Sequence, residues 1–180
     1  MAPVQLLTPA LPSDETISRV VLAPRRALGR PARITIIDNG KPRAVELLTN
    51  IIDNMRDQLP VADITSYFKG AASKIIDEQE AKMLAADADL VITGLGDCGA
   101  CSANSIADAL AMESAGVPAT VVITEPFVGH ITSWAVTMGA PGYHFAVVPH
   151  PVSSRSEETL RQYGASAAEH VLRHLTENQD

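Results

Sequence analysis

Cysteine is nearly absent. The 180-residue chain has two, Cys98 and Cys101, three positions apart. A pair this close cannot close a long loop, so stapling of the fold by disulfides is excluded and the value of the two thiols is chemical. An excess of basic charge is missing too. Lys and Arg number 14 against 21 Asp and Glu, for a net charge of −7. That balance argues against a nucleic-acid-binding surface and against a polybasic membrane patch. No apolar run approaches the length that spans a bilayer, and no charged-then-apolar signal opens the chain, whose start is broken by Pro9, Pro12, Asp14 and Glu15. Cytoplasmic residence is the expectation. A Walker phosphate loop is lacking. So is a second Cys-x-x-Cys, and the one local His pair, His170 and His174, lies on a terminal helix. Zinc on Cys98, Cys101 and some of His130, His144 and His150 is therefore the weaker alternative, and no metal or cofactor is assigned.

What is present is a chain that is 46% hydrophobic, enough to bury a large core as one unit. Residues 1–30 lack stable periodicity and are punctuated by Pro9, Pro12, Pro24, Gly29 and Pro31. They read as an extended arm, with a short strand over 19–22, able to cover the domain or a partner subunit. The arm is the only hint of a homo-oligomer. Residues 31–180 read as a single α/β domain. Strands are predicted at 33–37, 61–67, 89–93, 119–124 and 143–148 from their β-rich apolar runs. Between them lie helical patterns. Val45, Leu48, Ile51, Ile52 and Met55 give the three-and-four spacing of a buried stripe, with Pro42 suited to the first turn. Ser73 is a candidate cap for the second helix and Ser102 for the third, which Gly116 ends. Residues 125–130 read as a loop, and 131–138 as a shorter helix. Gly164 is expected to break or kink the last helix, with Ser166 and Glu169 recapping it.

Strands alternating with helices imply right-handed crossovers and a parallel sheet covered on both faces. Five strands fit a three-layer α/β/α sandwich of flavodoxin-like type, for which the order 2-1-3-4-5 follows by analogy. Ligands of such sheets sit beyond the carboxyl ends of the strands. The Gly-, Pro- and polar-rich segments 38–41, 68–73, 96–102, 124–130 and 149–153 would gather there.

Cys98 and Cys101 lie in Gly96-Asp97-Cys98-Gly99-Ala100-Cys101, after a strand and at the start of a helix. Unpaired helix N–H groups and the positive end of the dipole favour a thiolate there. Gly99 keeps the turn open to substrate. One cysteine can attack while the other resolves a mixed disulfide, or one can bind carbon while its neighbour tunes it. Asp97 works against a thiolate unless it points elsewhere, and could orient substrate or carry protons. His130 and His150 are the candidate proton carriers, with Glu125 to orient or contact substrate. His150 is held between Pro149 and Pro151 just past a strand end. Asn39, Gly40 and Lys41 form a strand-to-helix turn in which Lys41 could hold an anion. Ser102 and Ser153 complete the candidate binding set. Gly94-x-Gly96-x-x-Gly99 fits the dinucleotide pattern in letters, yet it follows the third strand rather than the first.

The stretches Asn39-Gly40-Lys41-Pro42, Gly96–Cys101, Gly116 to Phe127 and Pro149-His150-Pro151 resemble those of the UGSC-motif family of selenoproteins and their cysteine homologues. More distantly, the turn is similar to that in selenocysteine-bearing subunits of glycine and proline reductases. The family motif is selenocysteine-Gly-Ser-Cys. Cys98 stands at the selenocysteine position, Cys101 matches the second cysteine, and Ala100 replaces the serine, which removes a hydroxyl. The resemblance implies nucleophilic or redox chemistry, with Cys98 as nucleophile and Cys101 as the resolving or assisting thiol. It does not imply a substrate. The expected function is a cysteine-dependent oxidoreductase acting on a small anionic or carbonyl-bearing metabolite, recharged by an external thiol or a thioredoxin-like protein. A non-redox lyase or hydrolase, and a dithiol-bearing subunit of a larger reductase complex, are the alternatives.

Overall fold

The computed structural model describes residues 18–178. The chain alternates through β1 (Ala32–Asp38), α1 (Ala44–Met55), β2 (Val61–Phe68), α2 (Glu78–Asp87), β3 (Leu90–Gly96), α3 (Gly99–Ser114), β4 (Ala119–Thr124), a single 3-10 turn, α4 (Val128–Thr137), β5 (Ala146–Val148) and α5 (Glu157–Thr176). All four strand pairings are parallel. The strand order is β2-β1-β3-β4-β5, which is the flavodoxin-like order of a doubly wound sheet.

The period of two along the strands sets the two cores. Ile92 and Val122 face α1 and α5, whereas Val91, Val121 and Ile123 face α2, α3 and α4. β3 and β4 are therefore buried on both sides and read as continuous apolar runs. β2, at one edge, is mostly exposed and carries Asp63, Thr65 and Ser66 outward, the polar dressing that discourages pairing with another edge.

Several local expectations are corrected. Pro42 precedes α1 rather than lying in its first turn, because Arg43 occupies the cap position in the left-handed region (φ 66°). The cap of α2 is Asp77, not Ser73. Its carboxylate accepts from the backbone N–H groups of Gln79 (2.9 Å) and Glu80 (2.8 Å), while Glu80 accepts from Asp77 N–H in return (2.9 Å). This reciprocal box satisfies more of the helix end than a lone serine could. α5 runs unbroken through Gly164, so the expected break and recap do not occur. A Cβ at Gly164 would lie 2.8 Å from Asn50 Cβ and 3.0 Å from Asn50 carbonyl carbon. The glycine lets α5 approach α1. β5 is three residues long, not six, and His144 lies before it. Tyr143, ahead of the strand, turns inward and donates its hydroxyl to Ala119 O at 2.6 Å.

Of the predicted arm, residues 1–17 lie outside the described residues. Residues 18–30 contain no strand. Val20 N–H donates to Gly139 O (2.9 Å) instead of pairing with the sheet. Arg25 then forks onto the Glu113 carboxylate at 2.6 and 2.8 Å, with both side chains out of solvent. Glu113 also accepts the backbone N–H groups of Ala23 (2.7 Å) and Ala119 (2.8 Å). Ala119 opens β4, so this lock sits at the amino ends of the strands. The cysteine turn is at the opposite end.

Candidate active site

In a doubly wound sheet ligands bind outside the carboxyl ends of the strands where the order reverses, here β1 and β3. Asn39 bridges these two strand ends. Its side-chain oxygen accepts from Leu95 N–H (2.9 Å), and its amide donates to Leu95 O (2.9 Å) and Ser105 Oγ (3.2 Å). Asn39 is almost completely buried. It joins the two strand ends from beneath. Gly40 follows at φ 75°, where a Cβ would lie 2.7 Å from the Phe68 ring. Lys41 is half-buried, its backbone N–H donating to Asn39 Oδ1 at 3.2 Å. At the end of β3, Gly96 leaves room for its neighbours. A Cβ there would meet Ile123 Cγ2 at 2.6 Å and Ser102 Oγ at 2.8 Å.

α3 begins at Gly99, and its cap is Cys98 rather than Ser102. The Cys98 sulfur accepts from Cys101 N–H at 3.3 Å. The expectation fails because the helix starts earlier than Ser102. That serine falls in the first turn facing inward, fully buried, and its hydroxyl donates to Cys98 O at 2.7 Å. Cys98 and Cys101 are joined as a disulfide with Cα atoms 5.3 Å apart. The two sulfurs differ in access. Cys98 is half-buried and Cys101 is 3% exposed. An incoming thiol therefore meets Cys98 first. On reduction, the helix N–H groups and dipole face both sulfurs.

Asp97, between the glycine and the cysteine, is engaged by His150 and Thr124. Its Oδ1 lies 2.9 Å from His150 Nδ1. Thr124 Oγ1 lies 3.1 Å from the same nitrogen, 3.2 Å from Gly96 O and 3.3 Å from Asp97 Oδ1. The Phe127 ring packs edge-on against His150 with centroids 6.0 Å apart. Three of the segments expected to gather, 96–102, 124–130 and 149–153, thus meet past β3, β4 and β5. His130 is not in a loop. It lies in the first turn of α4, exposed, with its ring stacked on Trp134 (6.3 Å). Its Nε2 is 4.0 Å from the position a Gly99 Cβ would take, so it flanks the cysteine turn. Glu125 and Ser153 are exposed on the strand-end side. His144 lies elsewhere, its ring 5.3 Å from that of His174.

Two features escaped sequence reasoning. Thr124 reads as the last residue of a strand, and only the neighbouring strand ends give its hydroxyl partners. Lys69 and Asp108 form an ion pair with both side chains wholly buried. Asp108 also accepts Ile76 N–H at 2.9 Å, and burial pushes its carboxyl above the usual range although Lys69 pulls it down. The available signal was an acidic residue in the small, apolar, buried helix α3. Among the described residues no three or more His, Cys, Asp or Glu side chains cluster as a metal site. No helix among them is long and apolar enough to cross a membrane.

The model of the UGSC family matches residues 5–177. No curated protein matches the sequence. Two solved structures share its general outline. A diflavin flavoprotein A3 from Nostoc sp. is 16% identical, with 81% of this chain and 96% of that one covered at a TM-score of 0.39. The flavodoxin-like domain of a Synechococcus sp. protein is 11% identical, with 81% and 93% covered at a TM-score of 0.43. With nearly its whole length matched, the chain belongs to the UGSC family.

Proposed function

We propose, with membership of the UGSC family as the premise, that this protein is a dithiol oxidoreductase acting on a small anionic or carbonyl-bearing metabolite. The observation that carries the reading is the pairing of half-exposed Cys98 with buried Cys101 at the amino end of α3. In the selenocysteine form of the motif, selenium would stand where Cys98 does, which supports Cys98 as the attacking atom.

The cycle balances as follows. The Cys98 thiolate displaces a leaving group X from the carbon of R–X, forming a thioether and releasing X⁻. The Cys101 thiolate then attacks the Cys98 sulfur. The S–S bond forms, the C–S bond breaks, and its electron pair leaves on carbon, which takes a proton to give R–H. The dithiol has supplied two electrons. A carbonyl or carboxylate next to that carbon makes it a tolerable leaving group. An external protein dithiol of thioredoxin-like chemistry returns the two electrons by thiol–disulfide exchange. Lys41 and the backbone N–H groups of Gly99 and Ala100 at the start of α3 are the groups suited to hold the anion.

The reading is tested by reducing the protein and treating it with limiting iodoacetamide near neutral pH. Cys98 should carry most of the label before Cys101 reacts. Equal, slow labelling of both sulfurs would sink the Cys98 nucleophile, and full turnover by Cys101→Ser would sink the dithiol cycle. A second reading, a dithiol subunit of a larger reductase, is favoured by the exposure of Phe68 (57%) and Trp134 (39%), both on elements that border the carboxyl ends of the strands. A stable partner, and no turnover without it, would select that reading.

A further inference from the structure

We propose that His150 is the proton carrier of the dithiol site, with Asp97 and Thr124 as its positioning residues; this rests on the dithiol function proposed above. A carboxylate accepts hydrogen bonds and cannot donate. Asp97 Oδ1, 2.9 Å from His150 Nδ1, therefore assigns the ring hydrogen to Nδ1. Thr124 has one hydroxyl hydrogen, for which Gly96 O and Asp97 Oδ1 both lie within 3.3 Å. Its oxygen is then free to accept a second share of the Nδ1 hydrogen at 3.1 Å. Both contacts fall on Nδ1, so Nε2 keeps its lone pair and is the nitrogen that can exchange protons.

Burial sorts the three side chains in the same sense. Thr124 is fully buried. The Asp97 side chain is 8% exposed and that of His150 is 38% exposed. The orienting groups are shielded while the imidazole reaches solvent, held by Asp97, the residue next to Cys98. The other candidates lack such support. Among the described residues no carboxylate bridges His130, which stacks on Trp134. Glu125 is exposed. Among the described residues the charged groups in contact with His150 are Asp97 at the end of β3 and Arg155 ahead of α5, whose guanidinium donates to His150 O (3.3 Å) and Pro151 O (3.0 Å). Thr124 and Phe127 bring no charge, and Glu125 shares the 3-10 turn with Phe127.

In the reductive half of the cycle, protonated His150 gives its Nε2 proton to the carbon expelled from Cys98 as the disulfide forms. In the recharging half, a reductant thiolate attacks the Cys98 sulfur, the S–S bond breaks, and the same nitrogen protonates the departing Cys101 sulfur. A second reductant thiolate then releases Cys98 from the mixed disulfide.

The recharging half can be read without the metabolite, using dithiothreitol on the oxidised full-length protein. Its rate, corrected for the ionised fraction of the reagent, should fall as pH rises, because only a protonated imidazole supplies the proton. His150→Gln should flatten that profile and lower the rate at the acid end about a hundredfold, the lower side of what acid catalysis contributes. Asp97→Asn and Thr124→Val should weaken the profile, and Thr124→Ser should restore it. Nitrogen-15 NMR of the neutral His150 ring, taken at alkaline pH, should show the hydrogen on Nδ1 in the unaltered protein. A neutral ring with its hydrogen on Nε2, or an unchanged profile in folded His150→Gln, overturns the proposal. Iodoacetamide labelling of the same reduced samples separates the two claims. An unchanged profile with Cys98 still labelled first overturns the proton carrier alone, whereas labelling of Cys98 no faster than Cys101 overturns the dithiol function beneath it.

Discussion

Glu113→Gln is the sharpest test of how the described part of the amino-terminal segment is held. The side chain is wholly buried. It accepts two hydrogen bonds from Arg25 and two from the backbone N–H groups of Ala23 and Ala119. The amide keeps one acceptor oxygen but removes the charge opposite a guanidinium that is 1% exposed. Besides that oxygen, the Arg25 guanidinium retains only the uncharged carbonyls His174 O (3.1 Å) and Ala23 O (2.7 Å). Breaking one side of a buried pair costs about 3–5 kcal/mol, because the remaining charge is left uncompensated. In a chain of this length that is a loss of about 6–20 °C in melting temperature. Urea denaturation followed by circular dichroism measures it. The reasoning also requires recovery. Arg25→Met combined with Glu113→Gln removes both charges and should regain more than half of the loss. A single-mutant cost under about 1 kcal/mol, or a double mutant no more stable than Glu113→Gln, would refute the account. Below its melting temperature, Glu113→Gln should leave the preference of iodoacetamide for Cys98 intact, since the lock and the cysteine turn lie at opposite ends of the sheet.

Further outcomes are expected. Gly164→Ala should cost about 1–3 kcal/mol in urea denaturation, because its methyl group would be driven into Asn50 and the α1 backbone. Gly96→Ala should cost a similar amount and also alter the labelling rate of Cys98, because the added methyl meets Ile123 and Ser102, the residue whose hydroxyl holds Cys98 O. Burial, reinforced by His144, His170 and nearby arginines, lowers His174 from 6.5 to about 4. Between those values the unfolded chain binds more protons than the folded one, so stability falls as pH drops from about 6.5 towards about 4. After allowance for partial solvent access the loss should be about 1–2 kcal/mol, and His174→Gln should flatten that slope in denaturation curves taken across the range.

Much of the fold is legible in the residues. β1, β2 and β4 fall within a residue or so of the predicted segments, because β-rich runs bounded by Pro, Gly and Asn leave little room for another period. The Cys-x-x-Cys turn is legible for the same reason, since a buried strand ends in glycines and a helix begins. The misplaced caps share one cause. Ser73 and Ser102 are acceptable capping residues taken alone, but Asp77 has Glu80 to reciprocate, and Cys98 is where the chain leaves the sheet. Gly164 reads as a helix breaker by propensity, a preference worth about 1 kcal/mol. Close packing against Asn50 outweighs it.

The site divides in the same way. The order of residues along the chain determined that two thiols follow a buried strand and open a helix, and that no other cysteine competes with them. It also determined which loops a parallel sheet collects at its carboxyl edge. Tertiary structure alone decided what those loops do to one another. It buried Cys101 and left Cys98 accessible, set Asp97 against His150, and brought the Thr124 hydroxyl between them. It also sank Lys69 and Asp108 together out of solvent. The physical reason is that strand and helix periods are local properties, carried by a few consecutive residues. A hydrogen bond between residues 97 and 150 depends on how three separate strand ends are stacked, and no stretch of sequence contains that geometry.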